Sequence, residues 1–459
     1  MIKLSSIGFR QKYQLSPQGL LYIAPTGSGK TREAIAVTKD DRTSVVGTAS
    51  LTKNFEQEEL KAFKTKTPRT VETYVGIAHT KQLPGGKHLI IDESQYIRNP
   101  ETKTFRNLAR ERTKYDKALL LTGTPLVNEP YDIVSQVNLV GQSRVLTPNK
   151  KEFYKKYYEG IKTSPGIFAS LVGVKPSYSR ALRNSKELKS RLDPYVYLED
   201  VESVQKYLPK RNQEIVQVPM GEYQQQVYKY ISGKLPYSMR YKIHRGLLPS
   251  KQEAGKLNTY LSGLRQVSNT TSPFVAGKSQ IENPKIQQMM RDMTNELSNK
   301  GKVVVYSNYL GAGVDELKKS LQAKNISYSQ VIGSMSKPER QKQVEAYNKN
   351  KNKVMLITGA GSEGINLPKT TLVQLTEPHW NTARLYQASS RAIRRGDDPN
   401  RTVNIKLYQS VFPKKENKLF GIKLPTGKPQ RSVDQYLYDL SKSKEKEISE
   451  FLGALKKSE

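Results

Sequence analysis

The chain has 459 residues, which at roughly 150 residues per domain suggests about three domains. Lys and Arg number 76 against 42 Asp and Glu, a formal net charge of +34, so self-repulsion calls for an anionic partner; nucleic acid comes first and an anionic membrane surface second. The absence of Cys excludes disulfide scaffolds, Cys-ligated zinc and iron–sulfur clusters, and the scattered His79, His88, His244 and His379 show no ligand spacing.

The N-terminus, MIKLSSIGFRQKYQL, has neither an apolar core nor a cleavage site, and no apolar run reaches about 18 residues. A cytoplasmic location without a membrane partner is the expectation. Further on, short apolar runs alternate with longer amphipathic stretches. GLLYIAP (19–25), SVVGTA (44–49), HLIIDE (88–93) and ALLLTG (118–123) form one cluster of predicted strands. VVVYSN (303–308), KVMLIT (353–358) and TLVQLTE (371–377) form another. Such runs followed by helical stretches predict parallel sheets with crossover helices, an α/β class. We expect one lobe at 1–140 and a second at 285–410, joined by a basic helical insertion at 141–284 with one strand-like run, EIVQVPM (214–220). The basic tail, 411–459, closes on a predicted helix, SVDQYLYDLSKSKEKEISEFLGAL (432–455). No hairpin signal such as Asn-Gly between alternating strands is evident.

Five motifs carry chemistry. APTGSGKT, Ala24 to Thr31, follows a strand and opens a helix. In such a P-loop the backbone of Pro25, Thr26, Gly27, Ser28 and Gly29 wraps a phosphate, Lys30 reaches the β- and γ-phosphates, and the Thr31 hydroxyl can ligate Mg2+. LIIDES ends a strand with Asp92, able to hold Mg2+, and Glu93, able to polarise a water. Alone, such a carboxylate is often only a helix cap; about 60 residues after a P-loop, the two loops are expected side by side on one sheet edge. LLLTGTP places Thr122 and Thr124 at another strand end, by itself a routine exit. ITGAGSEGINL is a Gly-rich turn in which Gly364 allows close backbone approach and Asn366 offers an amide. In QASSRAIRRG, Gln387, Arg391 and Arg394 are spaced by four and three, one helical face, with Arg395 off that stripe. Two arginines there can embrace a γ-phosphate bound to another lobe.

In this order the motifs resemble the superfamily 2 helicase motors, and more closely the Snf2 family. SLTKNFEQE (50–58), DESQYIRNPETKTFRNL (92–108), LLLTGTPLVNEPYDIVSQVNLV (119–140), LEDVESVQKYLPKRNQEIVQVPMGEYQQQVYKYI (198–231), LRQVSN (264–269) and GSMSKPERQKQVEAYN (333–348) each resemble a Snf2 segment. VQLTEPHWNTARLYQASSRAIRRG (373–396) looks more like the viral branch, which includes poxvirus nucleoside triphosphatase I and the small subunit of the poxvirus early transcription factor. The resemblance implies two RecA-like P-loop lobes with helical insertions, and ATP hydrolysis with Mg2+ by a DNA-stimulated, monomeric motor tracking on duplex DNA. It implies phosphate and metal contacts by Lys30, Thr31 and Asp92, water activation by Glu93, and closure of Arg391 and Arg394 from the second lobe, with Gln387 beside them. A cytoplasmic, virion or viral-factory setting follows, with RNA polymerase or another transcription or replication protein as partner.

Three departures matter. Gln95 stands where the family has His, and an amide there can still bridge to Thr122 or Thr124. Only Gln11, Gln14 and Gln18 precede the P-loop, too few residues to seat an adenine-reading Gln in its usual register, so loose base selectivity is expected. Set beside the remodelers of the family, a motor without chromatin-reading extensions is the expectation. Residues 150–190 hold ten Lys/Arg against three Asp/Glu, and 229–265 hold eight against one, with Tyr228, Tyr230, Tyr237, Tyr241 and Tyr260 interleaved. That pattern suits phosphate neutralisation and stacking, or docking of a protein partner. The rival readings are a strand-separating helicase, which needs a wedge hairpin, and a transcription-factor subunit that acts mainly by binding.

Overall fold

The computed structural model describes residues 7–49, 55, 69–79, 81–164, 170, 174, 176–276, 281–359, 365–380, 382–394, 397–413, 418–419, 422–423 and 430–456. Gly364, Arg395 and all of SLTKNFEQE except Phe55 lie outside them. The first strands are β1 (Gly19–Ile23), β2 (Thr43–Gly47), β3 (Arg69–Thr73), β4 (Gly86–Asp92) and β5 (Tyr115–Thr122). After two helices, β6 (Tyr158–Thr163) and β7 (Ser177–Leu182) pair antiparallel, followed by β8 (Val196–Leu198) and β9 (Lys210–Pro219). Then come β10 (Val303–Ser307), β11 (Tyr328–Val331), β12 (Val354–Thr358), β13 (Leu372–Leu375) and β14 (Thr402–Val411).

Two six-stranded sheets result, with orders β3-β2-β4-β5-β1-β8 and β11-β12-β10-β13-β14-β9. Every pairing within them is parallel. Successive side chains of a strand point to opposite faces, so a sheet covered on both sides needs continuous apolar runs. Leu20, Tyr22, Leu119 and Leu121 enter one core; Leu21, Ile23, Leu120 and Ile91 enter the core on the other face. In the second sheet Val304, Tyr306 and Ile357 face one way, and Val303, Val305 and Leu356 the other. Because the strands are parallel, β1, β4 and β5 all end on one edge, where the P-loop, Asp92 and Thr122 lie.

The segment 141–284 is more than a helical insertion. β8 adds an edge to the first sheet, and β9 pairs along its whole length with β14 of the second. The β6–β7 hairpin also runs against the sequence expectation. Residues 164–176 separate its strands in the sequence, so no two-residue turn signal exists to be read. Nor is the C-terminal helix, Val433–Leu455, part of a free tail. Its first half packs Val433, Tyr436 and Leu437 against Met220, Tyr228, Leu261 and Leu264 in a third, helical core. Its last turns put Phe451 and Leu455 into the core of the first lobe. The buried Asp434 anchors the start, pairing with the equally buried Lys285 at 2.6 Å and accepting from the Ser410 amide at 2.9 Å. Among the described residues no helix is long and apolar enough to cross a membrane.

Candidate nucleotide site between the lobes

β1 delivers the chain into the P-loop, where Gly27 and Gly29 adopt φ of +85° and +96°. Only glycine takes these angles without strain, and they turn the backbone around an anion. The helix Lys30–Thr38 follows at once. Lys30 is buried and folds across the loop, donating to the carbonyls of Ala24 at 3.0 Å and Pro25 at 3.2 Å. Burial pulls its pKa down, and the nearby Glu93 and Asp92 pull it back up. The TGTP turn packs against the same loop: a Cβ on Gly123 would stand 2.7 Å from Thr26 Oγ1.

Asp92 Oδ2 accepts from the Thr31 hydroxyl at 3.2 Å, and its Oδ1 from the Glu93 amide at 2.9 Å. Burial and the Glu93 carboxylate push the Asp92 pKa up to about 6, against the pull of Lys30. The Asp92 carboxylate and the Thr31 hydroxyl are hard oxygen donors of the kind Mg2+ prefers. Glu93 itself sits at φ +55°, a left-handed conformation that costs a non-glycine residue about 1–2 kcal/mol. Its carbonyl is held by the Tyr74 hydroxyl at 3.2 Å and the Tyr96 amide at 3.1 Å.

From Glu93 a line of hydrogen bonds crosses to the second lobe. Gln95 Nε2 donates to Glu93 Oε2 at 2.8 Å, and Gln95 Oε1 accepts from the buried Thr122 hydroxyl at 2.7 Å. The amide thus makes the bridge foreseen for it. Thr122 Oγ1 accepts from the Thr124 amide at 3.0 Å, and Thr124 Oγ1 accepts from Gln387 of the second lobe at 3.4 Å. Arg394 reaches the same place. A Cβ on Gly27 would lie 2.8 Å from Ile393 O and 3.5 Å from Arg394 Cδ. Burial and the neighbouring Arg391 push the Arg394 pKa down to about 10, opposed by the attraction of Glu93 and Asp92.

Gln387, Arg391 and Arg394 do not lie on one helical stripe, as their spacing suggested. The α-helix ends at Ser389, a single 3-10 turn covers Ser390–Ala392, and Ile393 is extended. Tertiary bonds take the carbonyls that would continue the helix: Leu367 N–H donates to Arg391 O, and Arg401 to Ala392 O. Ile393 then drops into the second lobe's core, and Arg394 is turned toward the P-loop. Gln14 lies away from the nucleotide edge. Its carbonyl, with that of Tyr13, accepts from Lys117 near the start of β5, so it lies at the sheet edge opposite the P-loop. The N-terminal helix meets the nucleotide edge through its first turns instead: Arg10 pairs with Glu33 at 3.1 Å, and Phe9 stacks on Tyr22 at 4.2 Å.

Two supporting residues escaped the sequence reading. The buried Tyr74 donates to Asp92 O at 2.7 Å, and Gln136 accepts from Ser94 at 2.7 Å while donating to Pro125 O at 2.8 Å. Tyr74 lies outside the quoted motifs and Gln136 inside the 119–140 segment; each acts only because another strand end comes beside it. Of the interleaved tyrosines, Tyr228 is buried and its hydroxyl accepts from the Val433 amide, so it offers no stacking face.

A P-loop and an acidic strand end in one parallel-sheet lobe, faced by arginines of a second, define a P-loop nucleoside triphosphatase of the two-lobe helicase class. Residues 29–273 match the SNF2-related domain and residues 284–396 the helicase conserved C-terminal domain. The chain belongs to the SNF2-related family and is an ATP-hydrolysing enzyme of the helicase and translocase type. It is 29% identical over 452 residues to a protein of Acanthamoeba polyphaga mimivirus, L538, named for an ATP-dependent RNA helicase; the match covers 94% of this chain and 92% of that one. It is 25% identical over 328 residues to the chromatin remodeling factor mit1 of Schizosaccharomyces pombe, which covers 68% of this chain but 21% of that much longer protein. Among solved structures, the Sulfolobus solfataricus SWI2/SNF2 ATPase core in complex with dsDNA aligns with a TM-score of 0.37 at 20% identity, over 88% of this chain and 86% of that one.

Proposed function

We propose that the chain is a DNA-stimulated ATPase that uses opening and closing of its cleft to move along duplex DNA. The observation that carries this is the seating of Arg394, from the second lobe, against Gly27 and beside Asp92 and Glu93 of the first. Hydrolysis competence then depends on closure, and closure moves one lobe against the other. Lys30 binds the β- and γ-phosphates, and Glu93 takes the proton of the attacking water. Arg391 and Arg394 stabilise charge developing on the γ-phosphate. Thr31 and Asp92 would hold Mg2+, which neutralises phosphate charge when bound. Gln95 and Gln387 link Glu93 to the second lobe, so that lobe position and base orientation change together.

DNA is held mainly by its phosphates, with a correspondingly steep salt dependence between about 50 and 200 mM. We place the motor in transcription or DNA remodelling of a virus or cytoplasmic plasmid, as a monomer in the cytoplasm or viral factory. The test is a pair of assays: ATP-dependent displacement of a third strand from a triplex, with a forked duplex left annealed.

One observation favours strand separation instead. The β6–β7 hairpin helps to line a cleft of about 850 Å³, with Arg180 on its second strand and Trp380, Lys444 and Lys446 on other walls. Efficient unwinding of the fork would make the hairpin a wedge. Because the mimivirus relative is named for an RNA helicase, forks of DNA and of RNA are both required.

A further inference from the structure

A second cleft lies in the helical region, separate from the nucleotide site. It has a volume of about 530 Å³ and is lined by the helix Tyr237–Arg245, the helix before it and Gln430. Tyr237 and Tyr241 stand one helical turn apart, with ring centroids 6.3 Å from each other and ring planes at 33°. Arg240 lies 5.8 Å from the Tyr237 ring and Arg245 5.8 Å from the Tyr241 ring. Lys229 adds a third cation, and among the described residues no Asp or Glu lines the cleft. Among the described residues no carboxylate comes within ion-pair distance of Lys229, Arg240 or Arg245. The hairpin region differs, since Lys150, Lys156, Arg180 and Arg191 there are all paired with glutamates.

The cleft's chemistry is thus cationic and aromatic at once. Cations alone suit any polyanion, but ring faces add binding only where bases are unstacked and open to them. In a duplex the bases are closed to such rings. Tyr237 is 51% exposed, so its face is available, whereas core tyrosines such as Tyr228 are not. His244 is half-buried with the Gln430 amide against its ring, and burial lowers its pKa against the pull of the Arg431 carbonyl, with Arg240 adding to the lowering.

We propose that this cleft binds single-stranded nucleic acid, with Tyr237 and Tyr241 stacking on successive bases and Lys229, Arg240 and Arg245 holding the phosphates between them. This extends the nucleic-acid part of the function proposed above to a contact that requires neither ATP nor a duplex. The site would hold a displaced or single-stranded flank of the substrate while the lobes work on the rest.

The experiment uses the full chain without nucleotide. Fluorescence anisotropy follows binding of a twelve-residue oligo(dT), the matching oligo(rU), a blunt duplex and a poly-Glu peptide, with heparin as a polyanion lacking bases. The double variant Y237A/Y241A should lose about 30-fold or more in affinity for the single strands, from two stacked bases worth about 1–3 kcal/mol each, with an unchanged salt slope. R240A/R245A should weaken single strands and heparin alike and lower the salt slope by about one for each cation removed. An oligonucleotide carrying 5-iodouracil should crosslink to Tyr237 or Tyr241. The relative affinities of oligo(dT) and oligo(rU) say which nucleic acid is preferred. Equal loss of heparin and oligo(dT) binding in Y237A/Y241A, no loss of either, or poly-Glu binding that depends on both tyrosines would each overturn the proposal, the last in favour of an acidic protein partner. Lys30→Ala separates the two readings, because it stops hydrolysis while oligo(dT) should still bind this cleft.

Discussion

Arg394→Ala tests the cross-lobe site most directly. The guanidinium sits at the second-lobe surface that meets Gly27, and even with its pKa pushed down to about 10 it is charged at pH 7. Arginines supplied to a transferring phosphoryl group are worth about 10³–10⁵ in kcat. Here Arg391 stands close enough to repel Arg394 and would retain part of the stabilisation, so we expect a loss at the low end, about 10³, or about 4 kcal/mol of barrier. Nucleotide affinity should fall by less than about tenfold, because Lys30 and the P-loop remain. Folding stability should change by no more than about 1 kcal/mol, since losing the attraction of Asp92 and Glu93 is offset by relief of repulsion from Arg391. Arg394→Lys, which keeps the charge but not the planar fork, should fall between. Phosphate release with saturating DNA, nucleotide binding by titration calorimetry and a thermal melt together separate these effects. A kcat within about tenfold of wild type, with DNA present, would refute the placement of Arg394 in the reaction.

Glu93→Gln should bind nucleotide nearly normally while hydrolysis falls by about two to four orders of magnitude, whereas Lys30→Ala should lose both binding and turnover; equal binding losses in the two variants would remove this division of roles. Asp434→Ala should cost about 3–5 kcal/mol in denaturant unfolding by stranding the buried Lys285 charge, while the pair Lys285→Met with Asp434→Leu should recover most of it. GTP should be hydrolysed with a kcat/KM within about tenfold of that for ATP. Gln14→Ala should not alter that ratio, since Gln14 lies at the far edge of the sheet; a preference that collapses in Gln14→Ala would contradict its position.

The sequence by itself determined what depends on neighbours along the chain. Continuous apolar runs announced the central strands, because a strand buried on both faces must be apolar throughout. The P-loop was legible because its function requires glycines at positive φ and a lysine at fixed spacing, both local demands. Helix Val433–Leu455 was legible from its periodicity, with the Ser432 and Gln435 capping box at its start. Strands β3, β11 and β14 passed unseen because they mix polar and apolar residues; Val403, Ile405 and Leu407 alternate with polar neighbours in β14, a pattern distinct from the apolar runs elsewhere. Tertiary structure alone decided the rest. It ends the helix before Arg394 by capturing two backbone carbonyls, it carries Gln14 away from the P-loop, and it sets Tyr74 and Gln136 behind the acidic pair. It also turns an ordinary amphipathic C-terminal helix into a bridge between the lobes. In each case the partner is distant in sequence, and the geometry exists only once separate strand ends are brought to one edge by the folding of whole sheets.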